Sequence, residues 1–261
     1  WSSDVCSSDL PMARFDDRVA LVTGAGSGLG RATARLLGSE GAAVACFDIA
    51  EAAAAETAAG IEAEGGRARA YRVDVSDAAS VQDAVDGAAA DLGRPSLVVN
   101  CAGIGKFARS HEVPVEEWER IIGVNLTGTF LVCRAALPHL LDGGGVIVNI
   151  ASNAGIKAQP YSAAYCASKA GVVHLTRALA DEYLKSGVRV NCVAPGGIET
   201  PLQEAFFAMP EGTSWKELRK VMTPLGNSTP DEIARVIAFV ASEDCRYMTG
   251  SITSIDGGIT V

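Results

Sequence analysis

Short apolar runs that end in glycine-rich or polar turns alternate with longer segments of helical spacing through most of this chain. The first run, Arg18-Val19-Ala20-Leu21-Val22-Thr23, reads as a strand. It passes directly into Gly24-Ala25-Gly26-Ser27-Gly28-Leu29-Gly30 and then into a helix carrying Leu36 and Leu37. A second strand over 42–47 ends at Asp48, and the alanine-rich stretch 50–64 is a helix by propensity. A third strand spans 69–73 with Asp74 and Val75 at its end, after which Ser76-Asp77 caps a helix reaching about residue 90. Leu97-Val98-Val99 is the fourth strand and finishes in Asn100-Cys101-Ala102-Gly103. This alternation of strand and helix predicts a parallel sheet.

A long helix is expected over 115–137, opened by Glu116, Glu117 and Trp118 and ended by Pro138, with Gly123, Asn125 and Gly128 weakening its middle. The run 146–150 reads as a buried strand closed by Ser152, and the next helix carries Tyr165 and Lys169 and continues to about Leu184. A sixth strand, 188–193, leads into Pro195-Gly196-Gly197-Ile198-Glu199-Thr200-Pro201. From there to Gly226 the chain is least regular and carries Phe206, Phe207, Met209, Trp215 and Met222. Such a segment is either a binding lid or a helical pair over the core. Thr229-Pro230-Asp231-Glu232 combines a cap, a proline at the first helical position and an acid three residues on, a strong helix start. A last strand, 251–255, ends in Asp256-Gly257-Gly258.

No linker or shift in composition divides 13–261, which is therefore expected to be one domain with a substrate-loop region at 196–226. Residues 1–12 stand apart. Ser2-Ser3-Asp4-Val5 and Ser7-Ser8-Asp9-Leu10 form a near-repeat around Cys6 without the basic and apolar regions of a signal peptide. The stretch resembles translated adapter DNA and reads as an artefactual or disordered leader.

The net charge of −9 argues against nucleic acid or an anionic membrane as partner. No unbroken apolar run approaches the roughly 18 residues needed to span a bilayer, so a soluble, cytoplasmic protein is expected. The seven cysteines are scattered singly, with no Cys-x-x-Cys and no histidine at ligand spacing. They read as small buried hydrophobes, not as disulfides, metal ligands or a nucleophile.

Three stretches carry chemistry. Thr23-Gly24-x-x-x-Gly28-x-Gly30 lies between a strand and a helix start, where glycines let the backbone approach a phosphate and helix N–H groups face it. Asp48, at the end of the second strand and twenty residues after Gly28, can accept hydrogen bonds from an adenosine ribose and would repel a 2′-phosphate. No Arg or Lys occurs from 36 to 66, which points to NAD over NADP. Tyr165 and Lys169 are four apart on one helix face, with the Ser152 hydroxyl at the end of the preceding strand placed to lie opposite. A cation beside a phenol favours the phenolate, which would let Tyr165 trade a proton with an alcohol or carbonyl. Alone, Tyr-x-x-x-Lys is an ordinary surface pair; its weight comes from the other motifs.

In order and spacing, Thr23-Gly24-x-x-x-Gly28-x-Gly30, Asn100-x-Ala102-Gly103, Asn125, Ser152 with Tyr165-x-x-x-Lys169, and Pro195-Gly196 resemble the short-chain dehydrogenase/reductase family over 16–261. The resemblance implies a single-domain α/β Rossmann fold, a seven-stranded parallel sheet of order 3-2-1-4-5-6-7 with helices on both faces. It implies NAD as cofactor, held by Gly24, Ser27, Gly28, Leu29, Gly30, Asp48, Ile49, Asp74, Val75, Asn100, Ala102 and Gly103. Tyr165, Lys169, Pro195, Gly196, Ile198 and Thr200 would hold its nicotinamide half. It further implies Tyr165 as acid/base, Ser152 on the substrate oxygen, Lys169 on the nicotinamide ribose and lowering the Tyr165 pKa, and Asn125 holding a water in a relay to Lys169. A homotetramer packed through 115–137, 160–184 and the C-terminal end is also implied. Cys101 departs from the family, which more often has asparagine there.

The expected reaction is hydride transfer between nicotinamide and a small, apolar secondary alcohol or ketone. A 3-oxoacyl carrier-protein reductase using NADPH is the alternative, opposed mildly by Asp48 and the acidic charge. A non-catalytic dinucleotide sensor would not require Ser152, Tyr165 and Lys169 together. Sugar-nucleotide epimerases resemble a longer chain, with more than the about 65 residues that follow Pro195 here.

Overall fold

The structure, a computed structural model, describes residues 13–206, 209–219 and 222–261, so the proposed leader and Phe207 lie outside the described residues. Seven strands form one sheet: β1 (Val19–Thr23), β2 (Ala43–Asp48), β3 (Arg67–Arg72), β4 (Pro95–Asn100), β5 (Gly145–Ile150), β6 (Val188–Pro195) and β7 (Ile252–Ile255). Their order is β3-β2-β1-β4-β5-β6-β7, with every pairing parallel. All residues of β1 and β4 are buried, which is why these strands read as unbroken apolar runs and not as alternating ones.

Helices α1 (Gly28–Ser39), α2 (Glu51–Ala63) and α9 (Pro230–Ala241) contribute Leu37, Ile61, Ile233 and Ile237 to the core on one face. On the other face α3 (Ala78–Leu92), α5 (Gly128–Leu141) and α6 (Ala163–Glu182) contribute Val85, Leu140 and Leu179. α9 starts with the full reciprocal cap read from its sequence, Thr229 bonding the Glu232 N–H while the Glu232 side chain returns to Thr229. The chain reverses its direction of travel across the sheet between β1 and β4. Ligand crevices open at the carboxyl ends of such a switch point.

The helix expected over 115–137 departs from the simple reading twice. It runs as α4 (Val115–Ile122), a π-helical turn over Gly123–Thr127, and then α5. It also passes through Pro138 to Leu141 instead of ending there. Pro138 lies near the end of α5, where its missing N–H costs one bond of the last turns, and burial of Leu137 and Leu140 offsets that cost. Among the described residues this stretch, Val115–Leu141, is the one helix long and apolar enough to cross a membrane by length and composition. Half of its apolar window is buried inside the domain, against α3 and β4.

The described residues of the irregular segment after β6 include two short helices, α7 (Pro201–Phe206) and α8 (Trp215–Leu218), which lie over the crevice. We call it the flap.

Candidate active site

One cavity of about 900 Å³ extends from the glycine turn after β1 to the flap. Every residue expected at the site lines it except Asn100 and Asn125. Gly24 has φ of +67°, and a Cβ there would sit 3.0 Å from the Ala102 Cα, so the turn after β1 and the loop after β4 touch backbone to backbone. A Cβ on Gly30 would collide with the Gly24 carbonyl. Gly30→Ala is therefore expected to lower stability by about 1–3 kcal/mol and to weaken dinucleotide binding, measurable by denaturant unfolding and by NADH fluorescence. α1 has no acidic residue in its first turn and no side-chain cap, leaving its N–H groups open to an anion.

Asp48 does two jobs at this end. Its carboxylate accepts from Gly26 N at 2.8 Å and from Ala50 N at 2.9 Å, bracing the glycine turn and starting α2. Two backbone bonds leave lone pairs on both oxygens for ribose hydroxyls. Arg31 lies just before the cation-free stretch 36–66 and is close to the same turn. Its guanidinium bonds the Gly26 carbonyl and reaches Glu56 at 3.5 Å, and its Nε is buried without a partner.

Asn100 lies behind the cavity wall, with its Oδ1 buried and without a partner. It is buried, and its amide donates to Asn149 Oδ1 at 2.9 Å while Asn149 donates to Thr176 Oγ1 at 3.0 Å, a polar chain tying β4, β5 and α6. Asn125 occupies the π turn, fully buried. Its side chain pairs with both the N–H and the carbonyl of Ile104, at 2.8 and 2.9 Å, and donates to Ser168 Oγ at 3.0 Å. The extra residue of a π turn aims that amide inward, which explains the poor propensity at this point of the sequence.

At the other end Ser152, Tyr165 and Lys169 converge, all nearly inaccessible. Ser152 Oγ accepts from Ala154 N at 3.1 Å and donates to Asn153 Oδ1 at 3.0 Å. Lys169 Nζ lies 5.8 Å from the centre of the Tyr165 ring and donates to Ile150 O at 2.8 Å. Burial pushes the Tyr165 phenol up to about 12, with Ser152 pulling the other way, and pushes Lys169 down to about 8. Burial is the largest cause of the phenol's upward shift, and the Ser152 hydrogen bond is the one that lowers it. The Lys169 ammonium is directed at a strand carbonyl.

Folded Lys169 releases its proton near pH 8, against an ordinary 10.5. Between those values the unfolded chain binds more protons, so stability rises with pH across that window. The gain is at most about 1.4 kcal/mol per pH unit. The raised thiols of Cys46 and Cys133 act in the opposite sense above pH 9, so the test is the difference in urea unfolding free energy between wild type and Lys169→Met, which should move in favour of the wild type from about pH 7.5 to 9.5.

Sequence reasoning missed several walls of the substrate end, among them Phe107, Asn153, Gln159 and Asn227. They sit on loops, where no periodicity marks them. Phe206 packs edge-on against both Tyr165 and Phe107, with ring centres 5.2 and 4.9 Å apart. Cys46 and Cys133 behave as apolar filler: burial pushes both thiols up to about 12, far from a reactive thiolate.

The residues present fit a dinucleotide. A glycine cradle, an open helix N-terminus and a free-edged carboxylate share one cavity at the upper end of the usual range for ligand sites, about 300–1,000 Å³.

A family model described as enoyl-(acyl carrier protein) reductase matches residues 24–260. The chain is 41% identical over 250 residues to D-threitol dehydrogenase of Mycolicibacterium smegmatis, covering 95% of each chain. It is 43% identical over 252 residues to cis-4-hydroxycyclohexanecarboxylate dehydrogenase of Sinomonas cyclohexanicum, covering 94% of this chain and 98% of the other. The crystal structure of a short chain dehydrogenase from Mycobacterium paratuberculosis bound to NAD superposes with a TM-score of 0.87 at 32% identity, covering 95% of this chain and 99% of that one. The matched length, the sheet order and the grouping of Ser152, Tyr165 and Lys169 in one cavity agree, and the chain belongs to the short-chain dehydrogenase/reductase family.

Proposed function

We propose that this protein is an NAD(H)-dependent oxidoreductase that interconverts a secondary alcohol and a ketone, with Tyr165 moving the proton. The observation that carries this reading is the single cavity joining the Asp48 end to the Ser152–Tyr165–Lys169 end. A nicotinamide bound there supplies the acceptor or donor of hydride. Ser152 orients the substrate oxygen through its hydroxyl, and Tyr165 accepts the hydroxyl proton during oxidation or donates one during reduction. Lys169, buried beside the phenol, would hold the adjoining ribose. Asn125 holds the loop carrying Ile104 and Gly103 against Lys169. Burial raises the phenol, and since oxidation needs the phenolate as proton acceptor, oxidation gains as pH rises.

NAD is favoured over NADP by the Asp48 carboxylate. The Mycobacterium paratuberculosis neighbour bound to NAD supports the same choice, and the Mycolicibacterium and Sinomonas relatives, named as dehydrogenases, support alcohol oxidation. Phe107, Phe206, Met209, Trp215, Leu218 and Met222 make the substrate end largely apolar, which supports an apolar or ring-containing substrate. Phe130, Leu141 and Phe239 leave large apolar side chains exposed on α5 and α9, which supports a homotetramer packed through these surfaces. A panel of cyclic and linear secondary alcohols, followed by NADH absorbance, tests the reading. Alcohol-dependent NADH formation is expected, and a fully inert protein that still binds NADH would return the sensor reading.

A further inference from the structure

Tyr161 has φ of +63°, a left-handed conformation that a bulky side chain rarely adopts. Strain of this kind persists where surrounding contacts over-determine it, and it gathers at functional sites. Tyr161 lies four residues before Tyr165, in the loop that leads into α6. Its contacts reach three segments at once. The carbonyl accepts from Ala108 N at 2.7 Å, on the loop after β4. The hydroxyl accepts from Ser214 N at 3.1 Å and donates to Glu217 Oε2 at 2.9 Å, both on the flap. Arg109 lies 5.8 Å from the centre of the Tyr161 ring and donates to the carbonyls of Glu211 and Gly212, each at 3.1 Å.

The same flap carries Phe206, eight residues before Ser214, onto the Tyr165 ring. Gly105 is what lets it in: a Cβ there would collide with Phe206 and lie 2.9 Å from Tyr165 Cδ2. Phe206 therefore occupies space beside the phenol that an incoming alcohol must share. How tightly the flap is fastened sets how readily substrate enters and how firmly it is held.

We propose that Tyr161 is a positioning residue that latches the flap over the substrate end of the cavity, clasping Ser214 and Glu217 with its hydroxyl while Arg109 ties down the preceding turn. The left-handed backbone is what aims the phenol at the flap; an unstrained residue at 161 would send its side chain elsewhere. The proposal rests on the dehydrogenase reading for its kinetic consequence alone, since the clasp itself is a matter of contacts.

Tyr161→Phe keeps the backbone, the ring and its stacking with Arg109 and removes both hydroxyl bonds. Losing a bond to a charged acceptor predicts a rise of about tenfold in KM for the alcohol, with kcat unchanged or raised and NADH affinity unchanged. Glu217→Ala should move KM in the same direction. Tryptic cleavage at Lys216 and Arg219 should accelerate several-fold in Tyr161→Phe under native conditions, and this readout needs no turnover. Failure of the dehydrogenase reading would leave the proteolysis result standing. Flap cleavage at the wild-type rate in both variants, or an unchanged KM with unchanged cleavage, would overturn the latch.

Discussion

Replacing Tyr165 by phenylalanine is expected to lower kcat by about a thousandfold or more while NADH binding stays within twofold of the wild type. The ring is almost wholly buried and packs edge-on against Phe206, and phenylalanine preserves that packing. The change deletes only the proton carried at the hydroxyl. KM for the alcohol should move far less than kcat, because Ser152 and the apolar wall remain to bind substrate. Stopped-flow absorbance of NADH formation, alongside fluorescence titration of NADH, separates the two effects. Substantial turnover remaining in Tyr165→Phe would mean the proton leaves by another route.

The second large effect concerns cofactor choice. The wild type is expected to use NADH better than NADPH by about tenfold to a hundredfold, the scale of one or two charge-dependent contacts. Asp48 carries that preference, and Arg31 is the cation that could reverse it. Its guanidinium is held by the Gly26 carbonyl and lies near Glu56. In Asp48→Asn the charge facing a 2′-phosphate is gone, while an amide oxygen can still brace Gly26 N. NADPH should then gain relative to NADH, and adding Arg31→Ala should remove most of the gain. Ratios of kcat/KM for the two cofactors in the three proteins check both halves. An Asp48→Asn variant with the wild-type ratio would show that the carboxylate serves only to hold the turn.

These two residues also show where the sequence was legible. The central strands are buried on both faces, so they appear as continuous apolar runs, and their carboxyl ends place the glycine turn, Asp48, Ala102 and Ser152 around one crevice. Side chains whose role depends on what packs across from them were not legible. Asn100 has the look of a cofactor ligand; its amide nitrogen donates to Asn149 inside the sheet layer and its Oδ1 is buried without a partner, which the motif does not show. Pro138 reads as a helix stop, but a buried leucine on either side keeps α5 going. The direction in which burial moves the Tyr165 phenol, and the turn of the Lys169 ammonium to the Ile150 carbonyl, depend on packing that four-residue spacing does not fix. Tyr161 and Arg109 act through the flap, where the chain has no periodic pattern to read.

The central claim is that one cavity holds the dinucleotide in a single orientation, with its reactive ring beside Tyr165. A crystal structure of the wild type with NADH tests this most directly. The account predicts the adenosine ribose on the Asp48 carboxylate, the phosphates against the glycine turn at the start of α1, and the nicotinamide next to Tyr165 and Lys169. A dinucleotide bound with its adenine at the Tyr165 end, or bound outside this cavity, would contradict it.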